Sequence, residues 1–285
     1  MSFASVSPIV IREVDTVADI RQVEELQRIV WGIPDIEVVP LSQLMAAKSS
    51  GGVLLGAFDG ELMAGFAYGF VGIERSRIVH HSHMLAVRKE YRKHDLGFRL
   101  KVAQREHVLG QGIDRMTWTF DPLQSLNAHF NFGKLGVVSD KYYVNYYGEE
   151  AASFLHQNGT DRLWVTWLLN SERVDERLKR NHTAIAPDEN PLLVELDERM
   201  RPLVVETPES LSGETAAIAI PSDISSLEHQ DAELAGEWRR ATRNAFTRAI
   251  DTGFLVEDFY RVIDPEMPQG VYVLRKNKLL TESLS

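Results

Sequence analysis

The sequence predicts an α/β fold: a mixed, mostly antiparallel central sheet flanked by helices, with a C-terminal α/β extension. Asp59-Gly60 stands between two apolar runs, which is a strong signal for a β-hairpin. A third apolar run, 78–87, extends this hairpin into an antiparallel meander. A helical segment then leads to a strand at 114–120, and a crossover helix of this kind joins parallel strands. The predicted sheet is therefore mixed.

The elements follow from the periodicity of the apolar residues. Helices show apolar residues at three- and four-residue spacing, whereas strands are rich in β-branched and aromatic residues. Up to residue 170 the predicted order is β, α, α, β, β, β, α, β, α, β, β. The expected strands are 9–12, 53–58, 62–71, 78–87, 114–120, 141–147 and 162–169, and the expected helices are 17–31, one starting at Pro40, one between Gly97 and Gly110, and 126–135.

The texture of the sequence changes between 171 and 190, where a charged helix is followed by a polar loop. This change predicts two domains, 1–175 and 190–285. The second domain is expected to contain a long helix, 227–252, and a frayed tail from Lys276. Its expected strands are 192–196, 203–206, 216–220, 254–263 and 271–275.

Composition limits the class of function. The chain has 285 residues, 44% of them hydrophobic, a formal net charge of -10 and no cysteine. The acidic balance argues against a general nucleic-acid-binding surface, and the lack of cysteine excludes disulfides and thiolate chemistry. The sequence shows neither a secretory signal nor an apolar run long enough to span a membrane. We therefore expect a cytoplasmic protein that binds neither nucleic acid nor membranes.

The segment 85–112 is the candidate ligand site, because a strand passes through a short basic loop into a helix. Backbone amides and the helix dipole at such a helix start can bind phosphate groups. Gly97 would allow the backbone to approach a ligand closely. A charged turn before an ordinary helix would have the same spacing. The surrounding sequence is therefore needed to distinguish a phosphate-binding loop from such a turn.

The loop sequence LAVRKEYRKHDLG resembles the coenzyme A motif of the GCN5-related N-acetyltransferase (GNAT) superfamily. Leu85 and Val87 match its strand residues, Arg92 its arginine and Gly97 its final glycine. Downstream, FGKLGV at 132–137 resembles a second motif of that superfamily, and the order of elements agrees from about residue 9 to 170. Asp95 and Lys89 depart from the first motif, where the superfamily usually has glycine and proline.

The resemblance implies an acyl-CoA N-acyltransferase fold and an acetyl-CoA-dependent N-acetyltransferase in which a primary amine attacks the thioester directly. The acceptor is not identified, and a homodimer is left open. The positions that the resemblance assigns to acetyl-CoA binding are Leu85, Ala86, Val87, Arg92, Lys93, His94, Asp95, Leu96, Gly97, Phe98 and Asn127.

The general acid of the superfamily has no counterpart at its usual place. Phe132 stands where relatives often have the tyrosine that protonates the departing thiolate. A thiol has a pKa close enough to neutrality that acid assistance is helpful but not required. Substitutes could come from a tyrosine-rich strand, although strand tyrosines more often serve in packing: Tyr142, Tyr143, Tyr146 and Tyr147.

His83 is the candidate catalytic base. It stands two residues before Leu85, where many relatives have a glutamate, and histidine has a suitable pKa for taking a proton from an amine. A histidine that lines the cleft without catalytic duty explains the position as well. His81 and His83 should share one face of the strand and His80 the other. Two histidines are too few for a zinc site, so no metal is predicted.

Two further hypotheses remain open. Arg239 and Arg243 on the long helix are four residues apart and could bind an anionic acceptor, although a solvated helix face is the plainer interpretation. The alternatives to an acetyltransferase are an acyltransferase with another acyl-CoA or acceptor, and a catalytically silent sensor or scaffold that binds coenzyme A.

Overall fold

The computed structural model describes residues 8–148, 158–180, 190–205, 207–264 and 266–284. The chain divides into two compact units, Met1–Trp118 and Thr119–Ser285. The sequence predicts the boundary later, between 175 and 190, and most of that stretch, 181–189, lies outside the described residues.

The first unit contains a sheet with the strand order β1-β2-β3-β4-β5. Its last strand crosses the division between the units. The strands are β1 (Val10–Glu13), β2 (Val53–Asp59), β3 (Leu62–Glu74), β4 (Arg77–Val87) and β5 (Arg115–Phe120); the helices are α1 (Val17–Trp31), α2 (Leu41–Ser49) and α3 (Leu96–Gly110), with 3-10 turns at Asp35–Glu37 and Lys89–His94.

The predicted mixed sheet is confirmed. Strands β1 to β4 pair antiparallel with their neighbours, and β4 pairs with β5 in parallel, with His80 opposite Met116 and His81 opposite Thr117. The register between β3 and β4 shifts, because Tyr68 pairs with Met84 but Gly69 pairs with Ser82. The residue between them on β4 is therefore a β-bulge, and bulges re-aim side chains.

Helices α1 and α2 cover one face of this sheet. Thr16 caps α1 by accepting a hydrogen bond from the amide of Asp19, and Gly32 ends the helix in the left-handed conformation. The core under the helices consists of fully buried apolar side chains from both helices and the strands: Val14, Ile20, Val23, Leu26, Leu44, Leu54, Phe58, Met63, Phe66, Tyr68 and Ala86.

In the second unit the strand order is β7-β6-β11-β12-β10-β8-β9. Its strands are β6 (Val138–Tyr143), β7 (Arg162–Leu168), β8 (Leu192–Leu196), β9 (Pro202–Val204), β10 (Thr215–Pro221), β11 (Leu255–Val262) and β12 (Gln269–Arg275); its helices are α4 (Ser125–Ala128), a π-helical segment (His129–Leu135), α5 (Glu172–Leu178), α6 (Pro208–Ser212), α7 (Ile224–Gln230), α8 (Ala232–Asp251) and α9 (Lys278–Leu284).

Two predictions for this unit are wrong. The expected long helix is divided at Asp231, whose side chain accepts a hydrogen bond from the amide of Leu234 and so starts a new helix. The expected frayed tail is helix α9, because Leu284 is buried and belongs to a cluster with Val138 and Leu255.

Candidate active site

The loop between β4 and α3 is held in place by β3 and the β2–β3 hairpin. The backbone amide of Arg88 donates to the carbonyl of Ala64 at 2.9 Å, and the Arg88 guanidinium donates to the carbonyl of Met63 at 2.8 Å. The Tyr91 hydroxyl donates to the carboxylate of Asp59 at 2.7 Å. The loop is therefore fixed at Arg88 by β3 and at Tyr91 by the β2–β3 hairpin, before the helix begins.

Helix α3 begins at Asp95, which has φ 54° and ψ 23° and makes no side-chain capping bond. The amide of Arg99 donates to the carbonyl of Asp95 at 3.0 Å, so the intrahelical ladder starts there. Amides in the first turn of a helix have no intrahelical acceptor, and the helix dipole is positive at this end. Leu96 and Leu100 are fully buried and anchor the helix. The helix start is thus rigid and suited to an anion.

Gly97 is not required by the fold itself. A Cβ atom at this position would lie 3.8 Å from Cδ2 of Leu85 and 4.0 Å from Cγ2 of Val87, which are ordinary contact distances. Its φ lies outside the left-handed region, so an alanine would be unstrained. Any need for glycine here must come from something that approaches the backbone from outside.

The predicted ligand-binding side chains divide into two groups. Arg92 and His94 are exposed, Asp95 and Phe98 are partly buried, and the side chain of Lys93 lies outside the described part of the structure. On β4, Ala86 is buried while its neighbours at 85 and 87 are partly buried. The structure therefore gathers the predicted positions 85–98 around one helix start. Asn127 lies in the second unit, exposed on α4.

Strands β4 and β5 separate next to this loop. Among the described residues their pairing covers only His80 and His81 on β4. From Ser82 to Val87 the other edge of β4 still pairs with β3. Backbone amides alternate between the two edges of a strand. Some amides and carbonyls of Ser82 to Val87 therefore point to the edge of β4 that no longer pairs with β5. An extended ligand can add to such an edge.

His83 is the bulged residue of β4, and its side chain is exposed. Its ring lies 6.0 Å from that of Tyr68, 5.8 Å from Phe70 and 6.3 Å from His81. Desolvation by these neighbours lowers the pKa of His83. A lowered pKa keeps the imidazole neutral at neutral pH, which is the form that can accept a proton.

The opposite face of β4 carries a buried polar chain that was not predicted. The Lys101 amine donates to the Ser82 hydroxyl at 2.7 Å, and this hydroxyl donates to Oε1 of Gln104 at 2.9 Å. The Gln104 amide lies 3.2 Å from Nε2 of His80, a fully buried ring. The sequence feature that could have indicated this chain is the pair of polar residues at 101 and 104. They lie on the buried face of α3, beside Leu100 and Val108.

The alternation predicted for the histidines is confirmed, since His81 and His83 lie together and His80 is bonded on the other face. Burial lowers the pKa of His80 to about 3 and that of His81 to about 4. The described residues contain no group of three or more potential ligands that could hold a metal ion. Within that same part of the chain no helix is long and apolar enough to cross a membrane.

Phe132 and Tyr142 belong to the core of the second unit. Phe132 is fully buried, with its ring 6.2 Å from Phe120 and 5.8 Å from Tyr272. The Tyr142 hydroxyl donates to Asp161 at 2.7 Å, and burial and this carboxylate raise its pKa well above the usual value. A tyrosine of this kind holds its proton tightly and is a poor general acid.

Arg239 and Arg243 are held in ion pairs within the second unit, and neither lies on a fully solvated helix face. Arg239 is 4% exposed and binds both carboxylate oxygens of Asp121, at 2.7 and 2.8 Å. Arg243 binds both oxygens of Asp161, at 2.8 and 2.9 Å. The sequence could not reveal these partners, because they lie 118 and 82 residues away.

No protein-family model matches the sequence, and no curated protein matches it. Solved structures do. The ribosomal-protein-S18-alanine N-acetyltransferase of Escherichia coli is 13% identical, with a TM-score of 0.46, over 57% of this chain and 95% of that one. The aminoglycoside 6'-N-acetyltransferase of Enterococcus faecium is 16% identical, with a TM-score of 0.44, over 57% and 98%.

A GNAT family acetyltransferase of Elizabethkingia anophelis, solved with acetyl-CoA bound, is 12% identical, with a TM-score of 0.42, over 56% of this chain and 97% of that one. The chain is therefore similar, over little more than half its length, to solved acetyltransferases, including one from the superfamily that its two motifs resemble.

Proposed function

We propose that this chain is an acetyl-CoA-dependent N-acetyltransferase that transfers the acetyl group to a primary amine. The observation that carries the proposal is the start of α3, where residues matching a coenzyme A motif surround an uncapped helix end. The protein itself leaves room for a methyl group at Gly97. We therefore infer that the glycine is needed because a ligand approaches the backbone closely there. The pyrophosphate of coenzyme A would bind at this helix start.

The pantetheine arm of the cofactor would bind in the gap where β4 and β5 separate. The pantetheine arm spans twelve bonds from the phosphate oxygen to sulfur, or about 15 Å when extended. The five residue-to-residue steps from Val87 back to Ser82 cover about 16 Å. An arm that extends along the open edge of β4 therefore brings the thioester to Ser82 and His83. Backbone amides there would hold the arm and polarise the thioester carbonyl.

His83 would act as the base. Its neutral imidazole would take a proton from the acceptor amine as the nitrogen attacks the thioester carbon. The bulge re-aims this side chain at the level that the sulfur would reach. The amide product and coenzyme A would then leave.

Binding and turnover test the proposal separately. Calorimetry with acetyl-CoA should show saturable binding to the full chain. Release of free thiol should then appear when acetyl-CoA is mixed with members of a panel of amines, amino acids and peptides. Lack of binding would defeat the proposal.

A catalytically silent coenzyme A sensor is the second candidate. It is favoured by Phe132, which has no hydroxyl and is buried in an aromatic core. Binding of acetyl-CoA without thiol release across the whole panel would support this candidate over the enzyme. Faster release with a longer acyl-CoA would instead indicate a different acyl donor.

The role of His83 gives a specific prediction. His83→Ala should lower turnover about 100-fold at neutral pH while leaving the affinity for acetyl-CoA nearly unchanged. Because its pKa is lowered, the His83 imidazole loses its proton below neutral pH, so wild-type activity should rise with pH on the acid side of neutrality and the variant should lack this rise. The exposed His229 on α7 provides the matched control, His229→Ala. Full activity of His83→Ala with an unchanged pH profile would remove His83 from the mechanism.

A further inference from the structure

Lys101 carries an amine that is buried inside the first unit. It lies in the second turn of α3 and is 3% exposed. Its Nζ donates to the Ser82 hydroxyl at 2.7 Å and lies 3.6 Å from the centre of the Trp118 ring. No carboxylate pairs with it among the described residues. Buried lysines are normally paired, so this arrangement needs an explanation.

The surroundings support the charged amine only in part. The ring face of Trp118 attracts a cation, and the hydroxyl of Ser82 accepts one of the three N–H bonds. Burial nevertheless lowers the pKa of Lys101 well below its usual value, which makes the ammonium a stronger acid. The titratable groups that interact electrostatically with it are His80 and His81, and their low pKa values keep both neutral. An anion would complete the site.

The position of this amine matches the place of the reacting sulfur. Ser82 is the first residue of β4 after the pairing with β5 ends, and the extended pantetheine arm would reach this level. We propose that Lys101 is the general acid that protonates the departing thiolate of coenzyme A. This inference rests on the proposed function.

The proton balance of the step is complete. The acceptor nitrogen forms a bond to the carbonyl carbon, and the carbon–sulfur bond breaks with its electron pair going to sulfur. Nζ of Lys101 gives a proton to the sulfur, while His83 takes the proton that the amine loses. The products are an amide and a thiol, and exchange with solvent returns His83 and Lys101 to their initial states.

The lack of a carboxylate partner in the described part of the chain is what makes Lys101 effective as a general acid. Negative charge appears on sulfur only as the carbon–sulfur bond breaks, so the ammonium gains its counter-charge in the transition state and not before. A permanent carboxylate partner would weaken this gain. The proposal also supplies an acid to a chain that has Phe132 where relatives often have tyrosine.

The ionisation of bound coenzyme A tests the proposal without any acceptor. The thiolate absorbs in the ultraviolet, so the thiol of bound coenzyme A can be titrated by difference spectroscopy against the desulfo analogue. In the wild type its pKa should be at least about one unit, or tenfold in acidity, below that of free coenzyme A. In Lys101→Met it should return to the free value.

Several variants separate the outcomes. Lys101→Gln keeps a hydrogen-bonding group near Ser82 and should behave like Lys101→Met, which gives a second test if one variant folds poorly. Arg105→Met removes one positive charge from the same helix and should leave the titration unchanged. Equal thiol ionisation in the wild type and Lys101→Met would overturn the role of Lys101. Failure of the wild type to bind coenzyme A would instead overturn the proposed function.

Discussion

Helices α3 and α8 differ in how their starts and the charges near them are used. In α8 the Asp231 side chain accepts from the amide of Leu234 at 2.9 Å, and Arg239 binds both oxygens of Asp121. In α3 the side chain of Asp95 makes no capping bond to the first turn, and Arg92 is exposed at the preceding loop. The first turn of α8 is therefore capped by a side chain of the fold, whereas Asp95 does not cap the first turn of α3.

The two helices also differ in the surroundings of a glycine that each contains. Gly236 lies inside α8, where a Cβ would approach the flexible end of Arg240 at 3.3 Å. Gly97 lies in the first turn of α3, where a Cβ would meet only ordinary contacts. Both can take alanine without disrupting their own helix, so any difference between the two variants reports on a ligand.

The largest expected effect concerns the buried ion pair of α8. Arg239→Met should lower the free energy of unfolding by about 3–5 kcal/mol, because it leaves the Asp121 carboxylate without its partner. Denaturant unfolding measures this loss. Arg240→Met, on the exposed side of the same helix, is the control and should change stability by less than about 0.5 kcal/mol. Equal stability of the two variants would mean that the α8 pair is not structural.

The second effect concerns the ligand site on α3. Gly97→Ala should weaken acetyl-CoA binding at least about tenfold, or 1.4 kcal/mol, because the methyl group occupies the space where phosphate approaches the amides. Alanine also favours a helix, so stability should not fall. Gly236→Ala should share the effect on stability but leave binding intact. Unchanged affinity of Gly97→Ala, measured by calorimetry, would separate the helix start from the pyrophosphate.

The smallest effect concerns the charge at Asp95. Asp95→Asn removes the carboxylate and keeps a residue that tolerates the left-handed conformation, so acetyl-CoA binding should tighten a few-fold as repulsion is lost. Asp95→Gly should bind coenzyme A similarly and also unfold less easily, since glycine pays no steric cost at φ 54°. Weaker binding of both variants, with a steeper salt dependence, would show that the carboxylate assists the site.

The sequence predicted much of the candidate site because its residues are contiguous. The strand, loop and helix of 85–110 are local structures, and the hairpin at Asp59-Gly60 depends on a two-residue turn. The helix 126–135 was predicted as one piece, whereas the chain forms α4 and then a π-helical segment. The buried chain from Lys101 to His80 was missed, because no local rule says which partner a polar residue on a buried helix face will meet.

The sequence by itself determined the class of fold, the parallel pair β4 and β5, and the helix start that resembles a coenzyme A site. These features depend on periodicity and turn chemistry within a few residues. Only the tertiary structure decided that Arg239 and Arg243 form ion pairs within the second unit and that Lys101 is buried with no ionic partner in the described part of the chain. Ion pairing and desolvation depend on residues far apart in the chain, so the packing of the folded molecule sets which charges are satisfied and which await a ligand.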